Sequence, residues 1–82
     1  MFHTYILHSS DIDKYYIGSC GKDLQGRLRS HLSNHGGFTG KAKDWVVVYT
    51  ETYPTRTEAY ARERQIKKWK SRKMVEQLIS GN

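Results

Sequence analysis

The sequence predicts an α+β domain, a small three-stranded antiparallel or mixed sheet flanked by helices in the order β-β-α-β-α-α. Three observations predict it. β-Branched and aromatic runs recur at residues 2–9, 14–19 and 45–53. Apolar residues spaced three or four apart mark helical segments after the second and third runs. Gly, Pro, Ser and Asp punctuate the joints between these segments. At 82 residues the chain holds one domain, 1–82, with a small core, because a chain this short buries only roughly 60% of its unfolded surface.

The elements follow in order. In FHTYILHS (2–9) alternation sets His3, Tyr5 and Leu7 on one face and Phe2, Thr4 and Ile6 on the other. Ser10-Asp11-Ile12-Asp13 supplies turn chemistry, and KYYIGS (14–19) completes a hairpin closed by Gly18. Asp23 reads as the N-cap of a helix to about Asn34, with Leu24, Leu28 and Leu32 as its buried stripe and Gly36-Gly37 as its stop. HGGFTGKAK (35–43) reads as a mobile basic loop. WVVVYTETY (45–53) is the strongest strand, and its β-branched run suggests the central position. After Pro54, Thr55 and Glu58 fit a capping box for a helix to about Lys70. Ser71 then starts a last short helix, Arg72 to Ile79, and Gly81-Asn82 reads as a frayed end.

Composition narrows the function. The chain is 37% hydrophobic and 27% charged with one proline, which is globular composition. Fourteen Lys and Arg against eight Asp and Glu give a net charge of +6, which favours a polyanionic partner, most often nucleic acid. The lone Cys20 excludes an internal disulfide framework and any zinc site built on several thiolates. The spacing of His3, His8, His31 and His35 fits no usual zinc pattern. MFHTYILHSS lacks the basic and apolar regions of a secretory signal, and Trp45–Tyr49 is too short to span a bilayer. The expected location is the cytoplasm, with no membrane partner.

The informative residues are polar ones that periodicity turns toward the core. On a wheel with Ala59 at zero, Tyr60 falls near about +100°, Ile66 near −20° and Trp69 near −80°. Glu63 lands at about +40°, inside that apolar arc, where a carboxylate is costly unless paired, protonated or bound to a cation. A structural ion pair with Lys67, one turn on, is the plain alternative. On the preceding helix Arg27 and His31 border the leucine stripe four residues apart. Tyr5 and Tyr16 stand on neighbouring hairpin strands, with Tyr15 and Tyr49 adding further phenols. Phosphodiester cleavage needs such parts: a base for water, a cation for the extra negative charge, and a carboxylate to hold a metal. One carboxylate suits Mg²⁺, which retains several waters.

In this set the chain resembles the GIY-YIG nuclease superfamily, in particular its small stand-alone members, over nearly its whole length. The resemblance rests on His3-Thr4-Tyr5-Ile6-Leu7, on Tyr16-Ile17-Gly18, on Arg27 and His31, and on Glu63 within Ala61-Arg62-Glu63-Arg64-Gln65. It implies that Tyr5 contacts the scissile phosphate or attacking water as a general base. Tyr16 would support it, and Gly18 would give backbone access. Arg27 would stabilise the pentavalent phosphate, His31 would assist proton transfer, and Glu63 would hold one Mg²⁺ or Mn²⁺. The name motif departs at its first two residues, where His3 and Thr4 stand.

Eight basic residues against two acidic ones lie between Arg56 and Lys73. Lys67, Lys70 and Lys73, with Arg29, Lys41 and Lys43 at the other rim, form the expected nucleic-acid surface, one that tracks phosphates without reading bases. The expected activity is that of a metal-dependent DNA endonuclease, nonspecific or structure-directed, on duplex or branched DNA in repair, recombination or processing. The alternatives are a nucleic-acid-binding module with weak or lost catalysis, and a subunit that needs a protein partner or a second copy of itself.

Overall fold

The computed structural model describes residues 1–21, 24–26 and 42–81. Strands β1 (Phe2–Ser9), β2 (Lys14–Cys20) and β3 (Val46–Tyr53) form one sheet of order β2-β1-β3, and both pairings are antiparallel. Helices α1 (Arg56–Trp69) and α2 (Arg72–Ser80) follow. Between β2 and β3, Leu24, Gln25 and Gly26 are helical; the rest of the helix expected over 23–34, its glycine stop and most of the basic loop lie outside the described residues. The α+β class stands.

The central strand is β1 and not β3. Thr4, Tyr5, Ile6 and Leu7 are buried in unbroken succession, the signature of a strand covered on both faces. Leu7 and Tyr5 pack with Trp45 and Ala42 on one side, while Ile6 packs with Ile66 and Val75 on the other. β3 lies at an edge, with Val46 53% exposed. Its valine run is explained by a bulge: Ile6 opposes Tyr49 and Leu7 opposes Val47, which leaves Val48 as the extra residue.

The helix boundaries follow their caps. Thr55 accepts a hydrogen bond from the Glu58 backbone N–H, and Ser71 accepts one from Met74. Between the helices Lys70 turns the chain with φ of 47°. The end is not frayed at Gly81, which takes the left-handed conformation and donates its N–H to the carbonyls of Gln77 and Leu78. Tyr60 is another departure, at 51% exposed. The sheet-facing stripe of α1 is the narrower one of Ala59 and Ile66, and Tyr60 lies beyond it.

Candidate functional site

One row of side chains crosses the sheet beneath α1. Ser19, Thr4 and Glu51 stand in register on β2, β1 and β3. Each reaches the helix. Ser19 Oγ donates to Glu63 Oε1 at 2.6 Å, and Thr4 Oγ1 donates to the Ala59 carbonyl at 2.7 Å. Glu51 accepts from Arg62 Nε at 2.9 Å and Nη2 at 3.2 Å. Four bonds from three strands fix the rotation of α1, with Glu63 over the β2 edge and Arg62 over the β3 edge.

Glu63 sits where the wheel sets it, its side chain only 12% exposed. Its second oxygen accepts from Lys67 Nζ at 2.7 Å, so the expected ion pair is also present. Lys67 Nζ lies 5.7 Å from the centroid of the Tyr16 ring, a cation–π distance. The β2 edge therefore gathers Ser19, Glu63 and Lys67, and Lys67 alone reaches the Tyr16 ring, which packs on the other face of the sheet.

Tyr5 stands opposite Gly18 across the β1–β2 ladder and is 1% exposed. A Cβ on Gly18 would lie 2.6 Å from the Tyr5 hydroxyl oxygen and 2.7 Å from Cζ. Gly18 is itself buried, and the tyrosine ring takes the space a side chain would fill. Arg27, Arg29, His31 and Lys41 lie outside the described residues. Tyr15 and Tyr49 serve other carboxylates, Glu76 at 3.2 Å and Glu51 at 2.6 Å. Lys43 and Lys73 are exposed.

Glu51 went unnoticed in the sequence. Besides Arg62 it accepts from the hydroxyls of Tyr49 and Tyr53, both at 2.6 Å. Burial raises its pKa, but these hydrogen bonds outweigh that and hold the carboxyl below its ordinary value. Its own burial, and then the same contact, push Tyr49 up to about 12. The missed signal was alternation: Tyr49, Glu51 and Tyr53 share one face of β3, and Arg62 falls at about −60° on the α1 wheel, beside Trp69.

With this geometry in place, comparison with known families is decisive. Residues 1–76 match the family model of the GIY-YIG catalytic domain. The chain belongs to that family. No curated protein and no solved structure matches it. The GIY-YIG family is one of nucleases, enzymes generally dependent on a divalent metal.

Among the described residues of this GIY-YIG chain, no group of three or more His, Cys, Asp or Glu side chains gathers to hold a metal. The donor set at the β2 edge still fits Mg²⁺: one carboxylate, one oxygen steadied by a hydroxyl and the other already facing a cation. Next to this cluster lies a groove of about 330 Å³ between β2 and the α1–α2 junction. Lys14, Lys67, Lys70 and Arg72 rim it, and Ile17 and Val75 line it below. No described helix is long and apolar enough to cross a membrane.

Proposed function

We propose that this single catalytic module is a metal-dependent DNA endonuclease, nonspecific or structure-directed, acting in repair, recombination or processing in the cytoplasm. The observation that carries the reading is the Glu63 carboxylate, held at the edge of β2 by Ser19 and Lys67 and only 12% exposed. Glu63 would hold Mg²⁺ or Mn²⁺, which when bound polarises the phosphate and neutralises its charge. Tyr5 would orient or deprotonate the attacking water, and Tyr16 would keep the neighbouring polar geometry. Arg27 would serve as the charge clamp and His31 as the proton carrier.

The test is nicking of supercoiled plasmid in Mn²⁺, with an EDTA control. Glu63→Gln, which keeps the shape and removes the charge, is expected to cut nicking by about a thousandfold, the scale of losing the metal's charge stabilisation. Equal nicking by wild type and variant would end the proposal.

The groove supplies the substrate surface, since its four cations suit a phosphate backbone and carry no base-reading pattern. Lys67 is held by Glu63 and Arg72 by Asp13 and Glu76, so the two phosphate contacts left to Lys14 and Lys70 give a slope of about −1.8 in log affinity against log salt. DNA binding is expected to weaken about tenfold between 50 and 200 mM salt. A flat salt response in fluorescence anisotropy would remove the groove from the interface. A second reading, a binding module without useful catalysis, is favoured by the near-complete burial of Tyr5 at 1% exposure. It predicts the same salt slope with no metal-dependent nicking. A partner-dependent subunit predicts nicking only after that partner or a second copy is added.

A further inference from the structure

The two oxygens of Glu63 have partners of different kinds. Ser19 offers a short hydroxyl from a paired strand, and its bond to Oε1 is 2.6 Å long. Lys67 offers an ammonium on a four-carbon stem, 47% exposed, and meets Oε2 at 2.7 Å. A carboxylate only 12% exposed needs a positive partner when no metal is bound.

We propose that Lys67 is an internal counter-ion that occupies the metal's side of Glu63 and exchanges with it. The inference rests on the proposed metal role of Glu63. The ammonium leaves Oε2 when a divalent cation arrives, while the Ser19 bond to Oε1 stays. Lys67 already lies over a second seat, the Tyr16 ring at 5.7 Å, so leaving the carboxylate does not strand the charge. In the metal-free protein Lys67 keeps Glu63 in place under α1, and its competition sets the metal concentration needed for loading. Lys67 is thus a positioning residue whose effect is reciprocal: what it adds to the metal-free fold it subtracts from metal affinity.

Mn²⁺ binding to the full chain without nucleic acid, followed by electron paramagnetic resonance of the free ion, tests this. Lys67→Met is expected to bind Mn²⁺ about fivefold more tightly, the factor that corresponds to an ion pair of this type. Lys68→Met removes a neighbouring charge that makes no contact with Glu63, and its affinity is expected to stay within about twofold of wild type. Glu63→Gln is expected to lose binding. Thermal melting gives a second readout: Lys67→Met melts lower than wild type without metal, and the difference disappears in saturating Mn²⁺. Unchanged affinity in Lys67→Met, or an equal gain in Lys68→Met, overturns the exchange while leaving Glu63 as the metal residue. Wild-type binding by Glu63→Gln overturns the metal assignment itself, and the exchange with it.

Discussion

Replacing Glu51 by alanine is expected to lower the melting temperature by roughly 12–24 °C, the largest stability loss of any single charge in the described structure. The reason is what stays behind. Four donors point at this carboxylate: two from Arg62 and one each from Tyr49 and Tyr53. Arg62 is 21% exposed, and without Glu51 its charge has lost its ion-pair partner over the sheet. Removing one member of such a pair costs about 3 kcal/mol. In a domain of this size each kcal/mol is worth roughly 4–8 °C. By contrast, Glu76→Ala touches an Arg72 pair that is 47% exposed on both sides, and should move the midpoint by no more than a few degrees. Calorimetry of the two variants decides it, and a Glu51→Ala protein melting within 3 °C of wild type would refute the account.

The same carboxylate sets the acid limb of stability. Its folded pKa lies below the unfolded value, so its contribution is fully present above about pH 4.5 and fades as pH falls through the folded value. Glu51→Ala should therefore lose part of the wild type's acid sensitivity below that pH. Tyr49 acts at the other end. Its pKa is raised from 10.0 to about 12, so its contribution holds below pH 10 and is lost as pH rises through 12.

The contrast between Glu63 and Glu51 shows what sequence periodicity can and cannot reveal. Glu63 was legible because a helix wheel sorts residues on one element, and the anomaly lay inside a single apolar arc. Glu51 sits among exposed threonines on a strand taken for the sheet centre, and its partner is on another element. Only the pairing of β3 with β1 sets it under α1. The same gap explains the misplaced strand order. A β-branched run marks a strand, but centrality depends on two covered faces, and that record belongs to Thr4–Leu7. The caps at Thr55 and Ser71 were legible because capping is local, complete within four residues. The resemblance gives Gly18 the part of backbone access, and in the folded sheet it is the Tyr5 ring that comes against it.

Gly18→Ala is expected to reduce nicking about a hundredfold while the protein still folds. The added Cβ meets the Tyr5 hydroxyl oxygen at 2.6 Å and Cζ at 2.7 Å, well inside the ordinary contact distance of about 3.5–4.0 Å. Tyr5 is packed with Leu7 and Trp45, so its ring has little room to swing aside. The ring or the strand must shift by roughly 1 Å, at a cost of about 1–3 kcal/mol of overpacking. A displacement on that scale at a reacting group is worth about a hundredfold in rate. If the loss acts through the Tyr5 hydroxyl, adding Gly18→Ala to Tyr5→Phe will cost little further rate, because the group it displaces is already absent. Nicking by the double variant at about a hundredth of the Tyr5→Phe rate would show that Gly18 acts through something else. A single variant as fast as wild type would show that the hydroxyl's position over β2 does not matter to cleavage, and Tyr5 would then be a core residue.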